Sequence, residues 1–206
     1  TRALTLTVTP MEMLLPYSLA LASFAIAMPF VGKYIDSQGP RRVALAGGVV
    51  MGLGWLLTSM ATAPWHLYLF YGVIGGLGVG IAYGVPVAIA ARWFPDRRGL
   101  AVGLALLGFG FSAFFTANVA GWLIGAAGVM QTFRIFGAAF LVLIILLALP
   151  LTFPPKDWKP SGWTPPPPKP GEGVCELNRA EMLRTSSFYA LWFCYFIACL
   201  AGLMAI

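Results

Sequence analysis

Six apolar runs, each close to the roughly 20 residues a helix needs to cross a bilayer core of about 30 Å, dominate this sequence. They lie at approximately 11–31, 43–62, 67–91, 99–124, 134–153 and 188–206. Runs of this length constrain the fold more than any motif. In lipid a backbone group has no water to bond, so a spanning segment is either a helix or part of a closed barrel. Unbroken apolar runs without period-two alternation specify helices. The remaining composition agrees: 59% of the residues are hydrophobic and only 10% charged, whereas a soluble domain carries about 25% charged residues. An all-α integral membrane protein is the fold class these numbers predict.

Charge placement gives an orientation. The net charge of +6 is unevenly distributed: eleven of the thirteen Lys and Arg fall in the connectors 32–42, 92–98 and 154–187. Arg2 and Arg134 are the two on the other side. The positive-inside rule assigns the basic connectors to the cytoplasm, so a multi-pass protein of the cytoplasmic (inner) membrane is expected. Residues 154–187 are the one extended polar piece. Its four consecutive prolines at 165–168 favour polyproline II geometry and a semi-rigid tether, ahead of an SH3-type ligand. The stretch "CELNRAEMLRTSSF" that ends it reads as a short amphipathic surface helix. The predicted organisation is a five-helix bundle over 1–153, a linker over 154–187 and a further span from 188.

Catalytic chemistry finds no support in the residues. No two carboxylates share a helix face inside a run, and no Ser/His/Asp set or Cys/His cluster is present. His66 falls in a short outer turn, and Cys175, Cys194 and Cys199 have no metal-ligand spacing. The "GGLGVG" at 75–80 lies within an apolar helix rather than at a strand-to-helix turn, which removes a nucleotide-binding reading. No enzyme activity, cofactor, metal or nucleic-acid partner is expected. The lipid bilayer is the one partner composition demands.

Small and aromatic residues mark where helices meet and where a ligand could pass. Gly72, Gly76, Gly80 and Gly84 recur every four residues, and a stripe of this kind lets another helix approach closely. Gly48 with Gly52, and Gly99 with Gly103, repeat the spacing on neighbouring helices. Tyr17, Tyr83, Phe109 and Ser112 offer aromatic walls and hydrogen bonds without a buried charge, which makes them candidates for a substrate pathway. At the basic side, "GKYIDSQGPRR" has the spacing Gly32-xxx-Asp36-xx-Gly39-x-Arg41-Arg42. A second basic turn, "RWFPDRRG", supplies Arg92 at a helix end. An Asp36–Arg92 pair would join two helices there.

That first spacing, between two membrane helices, resembles the signature turn of the major facilitator superfamily. The stretches "RWFPDRRGLAVGLALLGFGFSA" and "EMLRTSSFYALWFCYFIACLAGLM" are similar to the oxalate/formate antiporter family, which includes lactate-type monocarboxylate transporters. In that register the chain corresponds to family helices two to six with part of seven. The resemblance implies secondary active transport of a small carboxylate anion by alternating access, coupled to a proton or a second anion. Other helices of the same transporter would complete the substrate site. It implies that Gly32, Asp36, Gly39, Arg41, Arg42 and Arg92 form a conformational latch. Phe109 stands where oxalate transporters of the family carry Tyr, which favours a monocarboxylate. A non-transporting carboxylate sensor on the same fold, or an inactive partial product, are the alternatives.

Overall fold

The apolar runs are helices in a computed structural model, which describes residues 10–155, 158–160, 162–164 and 179–204. Helix α1 spans Pro10–Gln38 and α2 spans Pro40–Thr58. A short α3 (Pro64–Leu67), a π-helical segment (Tyr68–Gly75) and α4 (Gly76–Trp93) run on as one span. Helices α5 (Arg98–Ala127) and α6 (Val129–Ala148) follow, then α7 (Arg179–Met182) and α8 (Ser186–Met204). No strand occurs among the described residues. The chain divides into two compact units: Thr1–Trp163, which holds α1 to α6, and Thr164–Ile206, which holds α7 and α8.

The connectors are tighter than the sequence predicts. The expected turn at 32–42 is helical on both sides of a single residue, Gly39. Its φ of 85° and ψ of 160° lie in a region open essentially to glycine alone. Its N–H closes α1 on Ile35 O at 3.1 Å, and Pro40 then starts α2, where a missing N–H costs nothing. Helix α1 is 29 residues long, about 44 Å at 1.5 Å per residue. The charges of Lys33 and Asp36 therefore ride on a helix that outruns the hydrocarbon. The expected turn at 125–133 likewise shrinks to Gly128, at φ 82°, which places Arg134 in the second turn of α6.

Among the described residues, four helices are long and apolar enough to span a membrane: Leu14–Gln38, Pro64–Trp93, Arg98–Ala127 and Val129–Ala148. Of the six spans expected, α2 falls short in hydropathy because Arg41 and Arg42 open it. In α8, Ser186–Cys199 is an apolar helix, and the helix itself continues to Met204. Helix α6 ends at Ala148 rather than 153, and the segment after it turns back beneath α4. Trp93 Nε1 donates to Thr152 O at 2.9 Å, and Trp158 Nε1 donates to Trp93 O at 3.3 Å. Part of the expected tether is thus packed against the bundle. The four prolines at 165–168 and the start of the expected surface helix lie outside the described residues.

Backbone contact at glycine organises the first unit. A methyl on Gly80 would sit 2.8 Å from Phe24 O, one on Gly72 would sit 3.1 Å from Leu19 Cβ, and one on Gly76 would strike the Ala20 carbonyl. With Gly84 against Ile35, all four stripe glycines face α1. A second face meets α2: a methyl on Gly47 would lie 2.7 Å from Ala82 N, one on Gly54 would lie 2.8 Å from Gly75 N, and Gly78 abuts the Met51 backbone. On its far side α2 receives α6, with Gly48 against Ile144 and Gly52 against Leu141. Gly99 and Gly103 do not repeat the pattern. A methyl on either meets nothing within 4 Å, because α5 buries only Leu123.

Two clusters fill the spaces the glycines leave. At the basic end Val31, Ile35, Val43, Ala44, Val85 and Ala148 form the buried core. At the other end the Trp55 ring meets Tyr71, Phe133, Phe136 and Phe140 at centroid distances of 5.3–5.9 Å. There His66 Nδ1 accepts from Ala63 N–H at 3.0 Å, satisfying a donor at the start of α3.

Gly78→Ala should separate close packing from helix propensity. Alanine stabilises a helix interior by about 1 kcal/mol over glycine, whereas overpacking a tight contact costs about 1–3 kcal/mol. A lower thermal-unfolding midpoint in detergent is expected, and a raised one would mean that α2 and α4 are not in backbone contact.

Candidate functional site

The basic end of the first unit brings one predicted pair together across 56 residues of chain. Arg92 Nη2, in the last turn of α4, donates to Asp36 Oδ1, in the last turn of α1, at 2.5 Å. The guanidinium carbon also stands 4.0 Å from the centroid of the Phe153 ring, so a cation–π contact holds it on its other side. The pair is not buried: the side chains are 44% (Arg92) and 64% (Asp36) exposed. Arg41 and Arg42 are exposed at the start of α2 and make no ion pair among the described residues. Gly32 does not mediate a close helix approach, since a methyl there meets nothing within 4 Å. It lines a cavity instead.

That cavity, about 400 Å³, runs along α1, α4 and α5 from Asp36 and Gly32 to Tyr83 and Leu106. A second, about 160 Å³, continues along the same helices toward the other end, between Tyr17, Phe24, Trp55, Tyr71 and Phe109. Three rings stand between the two. Tyr83 meets Phe24 edge-on at 5.2 Å and 86°, and meets Phe109 edge-on at 5.3 Å and 85°. Edge-to-face pairs of this kind are favoured by the ring quadrupoles. Phe24 is the midpoint of α1, so the three-ring set lies near mid-depth. Tyr17, Tyr83 and Phe109 are thereby gathered around one passage.

Ser112 does not join them. Its hydroxyl donates to Phe109 O at 2.6 Å, Thr116 Oγ1 donates to Ser112 O at 2.7 Å, and Asn118 Nδ2 donates to Phe114 O at 2.7 Å. The polar side chains of α5 spend their donors on their own backbone, the usual outcome for such groups in a helix facing an apolar medium. Two residues of the passage were missed in the sequence. Phe24 is seven residues after Tyr17 and so on the same helix face, a signal the spacing carried. Trp55 had no such mark, and it reaches Tyr71 at 5.7 Å because the π-helical segment turns that residue toward α2. Among the described residues no His, Cys, Asp or Glu cluster could hold a metal ion.

Apolar helices of membrane-spanning length in backbone contact, lining open cavities with a charged pair at one mouth, define a multi-pass membrane protein. The family model of the Major Facilitator Superfamily matches residues 2–206, and the chain belongs to that family. An oxalate:formate antiporter of Oxalobacter formigenes is 32% identical over 192 residues, 92% of this chain and 44% of that protein. Monocarboxylate transporter 14 of Homo sapiens is 37% identical over 132 residues, 64% of this chain and 26% of that protein. An uncharacterised MFS-type transporter of Escherichia coli is 29% identical over 192 residues, 92% of this chain and 46% of that protein. The chain thus spans less than half the length of these curated relatives.

An exposed ion pair contributes little to stability, about 0.2–1 kcal/mol. A double-mutant cycle with Asp36→Asn and Arg92→Gln, read by thermal unfolding in detergent, should return a coupling energy within that range. A coupling above about 2 kcal/mol would identify the pair as a structural fastening.

Proposed function

We propose that this chain carries much of the first half of a secondary active transporter that moves small carboxylate anions, of the lactate, formate and oxalate class, across the cytoplasmic membrane by alternating access. Residues 1–153 form the first-half bundle, 154–187 a linker on the cytoplasmic side, and residues from 188 begin the second half. The anion travels with a coupled proton or against a second anion, and other helices of the same protein supply the cationic part of its site. The observation that carries this reading is the similarity over 92% of the chain to a protein named for oxalate and formate exchange. The aromatic passage through α1, α4 and α5 supports it: Tyr17 and Tyr83 present hydroxyls to a small polar solute without a charge that would hold it fast.

In this reading Asp36 and Arg92 form the latch, with Gly39 setting the break between α1 and α2 and Arg41 and Arg42 fixing the cytoplasmic end. A pair worth about 1 kcal/mol is the right size for a switch. It shifts the balance between inward- and outward-open forms severalfold, and breaking it does not unfold the bundle. Asp36→Asn in the whole transporter is expected to slow uptake several-fold while the amount inserted in the membrane stays the same. Equal uptake rates would remove the latch.

The substrate class is tested with the whole protein in proteoliposomes, loaded in turn with unlabelled lactate, formate and oxalate and assayed for counterflow of the labelled anion. Counterflow with at least one of the three is expected, and its absence with all three overturns the reading. Phe109→Tyr adds a hydroxyl donor beside Tyr83. It should raise oxalate uptake relative to lactate, and an unchanged ratio would take Phe109 out of the substrate's path.

A further inference from the structure

The basic end of the first unit holds a further cavity, about 370 Å³, that lies apart from the passage and shares only Arg92 with the ion pair. The segment that turns back after α6 builds it. Phe153, Trp158 and Trp163 line it together with Arg92, Arg98 and Lys159. One wall, at Trp158, is held in place. Trp158 is tied to the Trp93 carbonyl, its ring meets that of Trp93 at 5.2 Å, and Trp93 is tied to Thr152 O. Among the described residues no acidic side chain lines the cavity. Arg92 has Asp36 as its counter-ion, but Arg98 and Lys159 make no ion pair among the described residues. Among the described residues, two cations without an ion-pair partner therefore line one open cleft, at the height where α1 and α4 end and α2 and α5 begin.

We propose that this cavity is a binding site for the phosphodiester headgroup of an anionic phospholipid. Arg98 and Lys159 would meet the phosphate as charge-assisted donors. The indoles of Trp158 and Trp163 would lie at the headgroup level that tryptophan favours at membrane surfaces. A free inorganic anion could use the cations but not the walls. Phe153, the two indoles and Pro95, Pro154 and Pro155 offer apolar surface, which only a ligand with a glycerol and acyl portion would cover. The cavity lies where such a molecule is already anchored by its tails. Each Lys or Arg near an anionic membrane surface is worth about fivefold in affinity.

The whole protein, stripped of lipid in neutral detergent, would be titrated with short-chain phosphatidylglycerol, with phosphatidylcholine and with inorganic phosphate, and binding read by native mass spectrometry. One saturable phosphatidylglycerol site is expected, with no comparable site for the other two. Arg98→Gln and Lys159→Gln should each weaken it about fivefold and together about twenty-five-fold, while Arg98→Lys should hold the affinity. Lys159 lies beyond the helices, so its single variant tests the site without disturbing the bundle. Equal affinity in the double variant, or phosphatidylcholine binding as tightly, overturns the proposal. Inorganic phosphate binding with the same dependence on Arg98 and Lys159 also overturns it, because the site would then belong to a free anion.

Discussion

Contact between backbones at glycine is the constraint on which the rest of this structure depends. Between helices in lipid there is no water to escape, so apolar side chains gain little by leaving the acyl chains, and close van der Waals fit must hold the bundle. The π-helical segment and α4 together achieve that fit on two faces. Gly72, Gly76, Gly80 and Gly84 admit α1, while Gly75 and Gly78 admit α2 at Gly54 and Met51. Helix α2 passes the same closeness on to α6 through Gly48 and Gly52. These spans are thereby locked in register, and that register places Tyr17, Phe24, Trp55, Tyr71 and Tyr83 around the passage.

The passage follows from the lock. With α1 and α4 at backbone distance, Phe24 and Tyr83 have no room to stack flat, and they meet at 86°. Phe109 reaches the same ring from α5, which is far less constrained. A boundary of rings carried partly on a loosely held helix is suited to opening. The π-helical segment at Tyr68–Gly75 has a related effect, because one register shift turns Tyr71 toward Trp55 and joins the cavity to the aromatic core. π turns recur where a side chain must be re-aimed for function. At the basic end, the ion pair spans the ends of α1 and α4 in an exposed setting that salt and water can weaken.

Much of this was legible in the sequence, for reasons that also explain what was not. The spans show because hydrocarbon thickness sets a length that hydropathy reads directly, and the grouping of basic residues at one end shows because connectors alternate. The proximity of Asp36 and Arg92 could be expected because each closes a helix that ends at the same surface. The one-residue breaks at Gly39 and Gly128 were read as longer turns. Charge and polarity mark where a helix leaves lipid, not where it ends, and α1 remains helical beyond the point where it turns polar. The second glycine face was hidden because Gly47 and Gly54 are seven residues apart and their partners lie on another helix. The fold-back after α6 was hidden by its prolines. They argue for an extended tether until Trp158 is seen to find Trp93.

Helix α5 stands apart from this economy of small residues. Gly99, Gly103, Gly108, Gly110, Gly121 and Gly125 would all accept a methyl with nothing within 4 Å, yet each weakens the helix by about 1 kcal/mol relative to alanine. Within the first unit they are a cost without a return. That makes them a graduated ruler along 30 residues of helix. Wherever an alanine proves harmful in a cell membrane, something outside this unit rests against α5 at that height. Read position by position, the six glycines would trace the footprint of whatever covers the helix.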